Sequence, residues 1–327
     1  MAVRVTTSGR IHFGFQNLSL AHERLYGSLG LALEEPRLVV DCERAEGVRA
    51  EHPDAERYAR RAVELLDVPG ARVSVREALP RHVGLGSGTQ FALSVLSGIA
   101  RAYDREPRVR ERAPRLGRGG RSGVGIAAFQ SGGFVCDAGH PATRFTSERP
   151  RDGEWTVPAV VARHPIPEAW RFLLVIPNAE PGASGEQEDA DMRAVVERAS
   201  PGIAEEITGI SSRKVLPAIA EGDLDTFGTG VASIGRLNGA WYADTQGGVY
   251  RPPVGEIVRE LDSSHAIRGA GQSSWGPVVY GITDREGAGA AREAGERALD
   301  AAGVDGEVRV VAGRNEGATI GGIGHKG

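Results

Sequence analysis

A glycine-rich loop that leads into a helix is the part of this sequence best suited to chemistry. The loop contains Gly84, Leu85, Gly86, Ser87, Gly88, Thr89 and Gln90, and a helical pattern follows it at residues 91–103. Glycine lets a backbone approach a ligand closely, and the first N–H groups of a helix lack an intrahelical acceptor. The loop therefore predicts a site for phosphate or pyrophosphate. A glycine-rich turn without a ligand is the alternative that composition alone leaves open.

A second segment of small and polar residues lies near the end of the chain and contains Gly269, Gly271, Gln272, Ser273 and Ser274. It is suited to hold a second phosphate group or to brace the first loop, although a tight turn before a strand explains it equally well. An acidic run at residues 186–191 offers oxygen ligands for Mg²⁺, with an acidic helix start as the alternative. These segments must be brought together by the fold.

Composition excludes several classes of protein. The 327 residues are 40% hydrophobic and 25% charged, which is ordinary for a globular chain. A formal net charge of -4 with scattered basic residues gives no footprint for nucleic acid. Cys42 and Cys136 form no C-x-x-C pair, and the eight histidines show no zinc spacing. With no apolar run long enough to span a membrane, we expect a cytoplasmic protein without a membrane partner.

Apolar patterns predict the elements that position the loops. Strands are expected at residues 2–6, 38–42, 71–76, 171–177, 276–282 and 306–311, and helices at 55–66, 91–103, 189–199, 211–221, 255–261 and 288–302. Strands and helices are mixed without strict alternation, so the predicted class is α+β. A turn-rich segment at residues 147–167 places a boundary between an N-terminal domain, 1–160, and a C-terminal domain, 161–327.

Three motifs in order resemble those of the GHMP kinase superfamily. Residues 80–89 match its pattern P-x-x-x-G-L-x-S-S-A except at Gly88 and Thr89, while residues 8–12 and 269–271 match its first and last motifs. The resemblance implies a two-domain α+β GHMP-kinase-like fold with the ligand cleft between the domains. Residues 122–133 resemble the S-G-x-D segment of mevalonate kinases, but Gly125 replaces the aspartate that serves as base in many of these kinases.

Longer stretches resemble the β-ribofuranosylaminobenzene 5′-phosphate synthase family, a branch with the GHMP fold. The matching stretches are residues 9–15, 26–33, 82–90, 117–129 and 271–277. That family implies an enzyme, a glycosyltransferase that joins 4-aminobenzoate to phosphoribosyl pyrophosphate and releases CO2 and pyrophosphate, in methanopterin biosynthesis. Asn17 stands where the family tends to carry an acid, and Arg24 matches an arginine that follows.

The resemblance also implies a set of site residues. Arg24 and Asn17 are the catalytic candidates, the two small-residue segments bind pyrophosphate, and Trp275 or Phe129 stacks on the ring or belongs to the core. Substrate-binding candidates are Arg10, His12, Arg118, Arg121 and Ser122. Mg²⁺ is expected with the diphosphate, although no ligand set is evident, and no pyridoxal phosphate, haem or nicotinamide is expected. Small-molecule substrates and a homodimer are implied.

Two other functions remain open at this point. One is an ATP-dependent GHMP kinase acting on a small molecule, in which another acid replaces the missing aspartate or catalysis proceeds by positioning alone. The other is a non-catalytic protein that binds a phosphorylated metabolite, for which Asn17 is the main argument.

Overall fold

Two β-sheets with helices packed against them form the fold. The computed structural model describes residues 1–145, 150–179 and 186–323, apart from the side chains of residues 186–188. Strands and helices are mixed in an α+β arrangement, as predicted. Of the acidic run at residues 186–191, the first three side chains lie outside the described part.

The first sheet is built on a long antiparallel hairpin. Its strands are β1 (Ala2–Asn17), β2 (Arg24–Arg44), β3 (Gly47–Ala50), β4 (Gly70–Glu77), β5 (Phe134–Asp137), β6 (His140–Pro141), β7 (Val160–His164) and β12 (Thr319–Gly322). The main order is β12-β1-β2-β4-β3, and β2 is long enough to pair with β4 at one end and with β5 and β6 at the other. All pairs are antiparallel except β3 with β4.

The helices beside this sheet carry the predicted glycine loop. They are α1 (Pro53–Leu66), α2 (Ser87–Ala102), α3 (Val109–Arg112), a 3-10 turn (Ala113–Leu116) and α4 (Val124–Ser131). Helix α2 is buried along most of its length, and Phe91, Leu96 and Ile99 join Val5 and Val40 of the sheet in one core. Helix α2 begins four residues earlier than predicted, so residues 87–90 of the glycine loop form its first turn and the packed helix supports residues 84–86 before it.

The second sheet is sandwiched between two layers of helices. Its order is β11 (Gly306–Ala312), β8 (Trp170–Pro177), β10 (Val279–Asp284) and β9 (Gly269–Gln272), all antiparallel. The helices are α5 (Glu186–Arg198), α6 (Pro201–Ile210), a π-helical turn (Ser211–Val215), α7 (Leu216–Glu221), α8 (Leu224–Gln246), α9 (Val254–Asp262) and α10 (Ala288–Ala302). Along β8, Leu173 packs in the core with α9 and α10, whereas Phe172 packs in the core with α8. This explains its continuous apolar run.

Residues of α8 connect the second half to the first sheet. Asn238 accepts a hydrogen bond from the Phe15 backbone N–H at 2.7 Å and donates one to the Phe15 carbonyl at 2.9 Å. A Cβ on Gly14, whose φ is +141°, would lie 2.6 Å from Asn238 Nδ2, so only glycine allows this approach. The predicted domain boundary at residues 160 and 161 falls within β7, and β7 and β12 both belong to the first sheet. The boundary therefore stays a prediction.

None of the helices in the described ranges is both long and apolar enough to span a bilayer.

Candidate functional site

A cleft of about 610 Å³ lies where the glycine loop faces the turn between β9 and β10. The segment between the 3-10 turn and α4 forms another wall. Of the predicted site residues, those that line the cleft are Arg10, His12, Gly84, Gly86, Ser87, Gly88, Thr89, Arg118, Arg121, Ser122 and Ser274. The fold thus brings together residues that are up to 264 positions apart, from Arg10 to Ser274.

The two predicted glycine segments touch each other through their backbones. A Cβ on Gly84 would overlap the Ser273 carbonyl oxygen, and one on Gly276 would overlap the backbone of Val83. The Ser273 hydroxyl donates to the Gly84 carbonyl at 2.8 Å and accepts from the His12 N–H at 3.2 Å. The second segment therefore braces the first loop, one of its two predicted roles.

Helix α2 begins at the floor of the cleft. Gly86 is its N-cap, with φ of 79°, and no side chain in the described part of the chain caps this end. The Thr89 and Gln90 N–H groups bond the Gly86 carbonyl. The N–H groups of Ser87 and Gly88 come before the first N–H that bonds within the helix, so they belong to the first turn, whose N–H groups lack an intrahelical acceptor. The positive end of the helix dipole is thus available to an anion in the cleft.

Two arginines lie against the glycines of the loop. Arg10 donates to the Gly84 carbonyl at 2.5 Å, and a Cβ on Gly86 would meet its guanidinium at 3.2 Å. Arg118 donates to the Tyr58 hydroxyl and lies over the Tyr58 ring at 5.4 Å. A Cβ on Gly88 would lie 2.9 Å from Arg118 Nη2. Both guanidinium groups are therefore held beside the start of α2, where planar donors match phosphate oxygens.

The charges of the cleft are predominantly positive. Among the described residues, the charged groups that line it are the arginines Arg10, Arg57, Arg61, Arg81, Arg118 and Arg121 and the aspartates Asp54, Asp152 and Asp189. Asp54 forms ion pairs with Arg57 at 2.8 Å and Arg81 at 2.9 Å, and Asp189 pairs with Arg121. Since the aspartates are all engaged by arginine, the excess positive charge favours a multiply charged anion.

Helix α4 also begins near the cleft, but a carboxylate of the protein already occupies its start. Asp137 accepts from the Gly123 N–H at 2.8 Å and from the Gly139 N–H at 2.9 Å. Burial raises the pKa of Asp137 to about 6, although both N–H groups oppose the shift. Sequence reasoning missed this residue; the signal was an Asp-x-Gly turn at the end of a strand.

Several predicted residues support the cleft from behind. Leu85 is buried, and the fully buried Gln90 accepts from the Thr7 hydroxyl at 2.8 Å and donates to the Gly125 carbonyl at 2.9 Å. Gly269 and Gly271 lie in β9, where a Cβ would overlap Gly228 or approach Tyr280. Close packing explains these glycines, and binding roles for them stay predictions. Phe129 packs in the same core as α2 and the first sheet, so it is a core residue, which was the alternative to stacking on the ring.

The two catalytic candidates line a different cavity. Asn17 and Arg24 lie in a pocket of about 500 Å³ beside α6 and the π-helical turn. Asn17 donates to the carbonyls of Ser19 at 2.8 Å and Arg24 at 2.6 Å, and accepts from the Ser19 N–H at 2.7 Å. Arg24 donates to the carbonyls of Ala138 and Gly139. The structure shows both side chains holding a turn, and it does not bring them to the glycine loop.

A smaller cavity of about 40 Å³ adjoins the cleft, and we call it the aromatic pocket. It shares His12, Phe15, Ser274 and Trp275 with the cleft. Its further lining includes Asn238, Tyr242, Tyr250 and Gln272. Burial and the nearby Arg10 lower the pKa of His12 to about 3, so its imidazole is neutral at physiological pH.

No cluster of three or more potential metal ligands occurs among the described residues. The carboxylates that the structure describes in the cleft lining pair with arginines, including Asp152 with Arg61 at 3.6 Å. The protein groups of the cleft therefore suit an anion better than a bare divalent cation.

The fold and the glycine loop at a helix start define a GHMP-kinase-like protein. Residues 55–133 match the family of GHMP kinases N terminal domains. A crystal structure of homoserine kinase from Cytophaga hutchinsonii superimposes with a TM-score of 0.66 at 16% identity, covering 98% of this chain and 97% of that one. The predicted fold class is confirmed.

The chain belongs to the beta-ribofuranosylphenol 5'-phosphate synthase family. It is 32% identical to the synthase of that name from Methanothermobacter thermautotrophicus, over 96% of this chain and 97% of the relative. It is 33% identical to the synthase of the same name from Archaeoglobus fulgidus, over 89% of this chain and 90% of that relative. The predicted synthase family is confirmed. The relatives' names carry phenol where the resemblance gave aminobenzene, a difference of one substituent on the ring.

Proposed function

We propose that the protein is a decarboxylating phosphoribosyltransferase of methanopterin biosynthesis. It joins a para-substituted benzoate to phosphoribosyl pyrophosphate and gives an aryl riboside 5′-phosphate, CO2 and pyrophosphate. The family resemblance implies 4-aminobenzoate as the acceptor, whereas the relatives' names favour 4-hydroxybenzoate. The observation that carries the proposal is the open start of α2 with Arg10 and Arg118 laid against its glycines.

The cleft supplies what the departing pyrophosphate requires. As the bond from ribose C1 to pyrophosphate breaks, negative charge grows on the leaving oxygens and positive charge on C1. The N–H groups of Ser87 and Gly88 and the two flanking guanidinium groups are oriented before the reaction, so little reorganisation accompanies it. Arg57 and Arg81, already in the cleft, are placed to hold the 5′-phosphate in exchange for part of their contact with Asp54.

The ring carbon does not need a strong base in this reaction. The carbon that bears the carboxylate attacks ribose C1, and the ring regains aromaticity when the bond to the carboxylate breaks and CO2 leaves. Gly125 fits this chemistry because it presents no side chain: a Cβ there would lie 3.3 Å from Thr89 Cγ2. Many kinases with this fold use an aspartate at this position to take a proton from a hydroxyl, and glycine has no group that can do so.

Mg²⁺ is proposed to enter with the diphosphate rather than on a protein cage. The cation would neutralise charge on the leaving group, while the arginines and helix start orient the substrate. We also propose that the protein acts in the cytoplasm as a homodimer, with domains at 1–160 and 161–327.

Release of labelled CO2 tests the proposed function. The purified protein is mixed with Mg²⁺, phosphoribosyl pyrophosphate and carboxyl-labelled 4-hydroxybenzoate or 4-aminobenzoate, and a parallel reaction replaces phosphoribosyl pyrophosphate with ATP. We expect labelled CO2 only with phosphoribosyl pyrophosphate. Absence of release with both acceptors across salt and pH refutes the synthase. Consumption of ATP with a hydroxylated substrate then supports a kinase, and binding without turnover supports a metabolite-binding protein.

A further inference from the structure

Three buried polar atoms in the aromatic pocket lack a hydrogen-bond partner. They are His12 Nδ1, Tyr250 Oη and Gln272 Oε1, and none has a partner among the residues that the structure describes. His12 is only 4% exposed. An unpaired buried polar group costs about 1–3 kcal/mol, so three in one pocket indicate that something outside the chain pairs with them.

A bulge in β1 is what directs two side chains into this pocket. The pairing of β1 with β2 shifts between His12 and Gly14. In a regular strand His12 and Phe15 would point to opposite faces, because side chains alternate. The bulge, fixed by the bonds from Asn238 to the Phe15 backbone, lets both rings line the same cavity with centroids 5.0 Å apart.

The aromatic pocket and the cleft meet at the residues that line both cavities, and we call this boundary the mouth of the pocket. Trp275 lies against Tyr242 with ring centroids 4.4 Å apart, and Trp275 and Phe15 line both cavities. None of the described residues that line the pocket is charged: its polar groups are amides, a serine hydroxyl, tyrosine hydroxyls, the Trp275 indole and a neutral imidazole. A flat, uncharged ring with one polar substituent matches this lining, whereas a phosphate does not.

We propose that the aromatic pocket binds the para substituent of the acceptor ring, through His12, Tyr250 and Gln272. This inference rests on the proposed function and adds the orientation of the acceptor. The pocket's 40 Å³ holds about three water-sized atoms, enough for a substituent and the adjoining ring edge. The rest of the ring lies at the mouth beside Trp275, and its carboxylate-bearing carbon faces the cleft.

This orientation places the reacting carbon towards ribose. The ring carbon para to the buried substituent forms the new bond to ribose C1, and the electron pair of the breaking bond leaves with pyrophosphate. The bond from that ring carbon to the carboxylate then breaks, its electron pair restores the aromatic ring, and CO2 departs. The hydroxyl keeps its proton throughout. Gln272 Oε1 accepts a hydrogen bond from it, which pushes electron density towards the attacking carbon.

The pocket should therefore discriminate acceptors by their para group. A hydroxyl both donates and accepts, so it can pair with Gln272 Oε1 and the Tyr250 hydroxyl together. Benzoate without a para substituent would leave these groups unpaired, and sites of this kind reject such analogues strongly. We expect the inhibition constant of benzoate to be at least tenfold higher than the KM for 4-hydroxybenzoate.

Two variants test the assignment with a matched control. Tyr250→Phe removes one pocket hydroxyl, Gln272→Leu removes the acceptor, and Tyr103→Phe removes a hydroxyl that bonds the Gly70 carbonyl away from the cleft. We expect the two pocket variants to raise the KM for 4-hydroxybenzoate about tenfold and to leave the KM for phosphoribosyl pyrophosphate unchanged. The control should keep both values.

The same variants separate this inference from the proposed function. If the wild-type protein releases CO2 but both pocket variants keep its acceptor KM, the pocket assignment is wrong. If the wild-type protein releases none, the synthase assignment fails, and tryptophan fluorescence titration with 4-hydroxybenzoate still tests the pocket. Binding that Tyr250→Phe and Gln272→Leu weaken at least fivefold supports the pocket in that case. Equal binding by all proteins overturns it.

Discussion

Replacing Gly88 with alanine should weaken substrate binding without weakening the fold. Gly88 lies at the second position of α2, where alanine is favoured over glycine by about 0.5–1 kcal/mol. The new Cβ would lie 2.9 Å from Arg118 Nη2. Because that atom is the far end of a flexible side chain, the guanidinium moves aside and the backbone stays in place.

The loss of affinity follows from the displaced guanidinium. A hydrogen bond to a charged group contributes about 1.5–3 kcal/mol, so phosphoribosyl pyrophosphate should bind roughly ten- to a hundredfold more weakly to Gly88→Ala. Isothermal titration calorimetry at fixed salt measures the affinity, and urea unfolding measures the stability. We expect a lower affinity together with an equal or higher free energy of unfolding.

A glycine at the same helical position provides the control. Gly289 is the second residue of α10, and a Cβ there meets nothing within 4 Å. Gly289→Ala should therefore gain similar stability and bind phosphoribosyl pyrophosphate like the wild type. If Gly88→Ala also binds like the wild type, Arg118 does not contact the ligand and the reasoning is refuted.

Three further substitutions test other parts of the structure. Asn17→Asp should lower the free energy of unfolding by about 2 kcal/mol, because a carboxylate would face the two carbonyl oxygens to which Asn17 now donates. Urea unfolding should show this loss of stability growing with pH, and unchanged stability would contradict the role of Asn17 in holding the turn. Asp137 has its pKa raised from 3.8 to about 6, so the folded state binds its proton more tightly than the unfolded state. Protonated Asp137 contributes about 3 kcal/mol to the free energy of unfolding below pH 4, and this contribution is lost as the pH rises to about 6. In urea unfolding measured across this pH range, Asp137→Asn should remove the dependence of stability on pH, and an unchanged dependence would exclude Asp137 as its source. Gly14→Ala should lower the free energy of unfolding by about 2–3 kcal/mol, through backbone strain at φ +141° and through overlap with Asn238. In the Asn238→Ala background the overlap should vanish and the strain should remain, so an unchanged cost there would contradict the contact with Asn238.

The loops that carry chemistry could be predicted from sequence because their signals are local. Spacing and residue type predict the glycine loop, the helix at residues 91–103 and the strand at residues 171–177. In the structure, α2 (Ser87–Ala102) includes the predicted helix except for its last residue, and β8 (Trp170–Pro177) includes the predicted strand. The brace between Gly84 and Ser273 was one of two expected roles. Choosing between them required the contact itself, since the two residues lie far apart in the chain.

Helix α8 could not be predicted, for a physical reason. It contains Gly228, Gly230, Gly235 and Gly239, which lower helix propensity, so its apolar pattern is weak. Tertiary packing explains these glycines: a Cβ on Gly228 would lie 2.7 Å from the Arg268 carbonyl oxygen. The aromatic pocket depends on this helix and on the bulge in β1, and neither leaves a sequence pattern that indicates a pocket.

For Asn17 and Arg24, the family resemblance predicted a place at the chemistry that the structure does not show. Matching a family pattern placed them at the chemistry, whereas the structure shows their polar groups bonded to neighbouring backbone. Side-chain partners of this kind depend on turn geometry, which residue type alone does not determine.

The ratio of products formed when all substrates are present tests the central claim most directly. The protein is given phosphoribosyl pyrophosphate, ATP, Mg²⁺ and carboxyl-labelled 4-hydroxybenzoate together, and labelled CO2, pyrophosphate and ADP are measured in the same reaction. A cleft that stabilises departing pyrophosphate and lacks the base at Gly125 predicts equal amounts of CO2 and pyrophosphate and no ADP. Formation of ADP without CO2 would contradict the account.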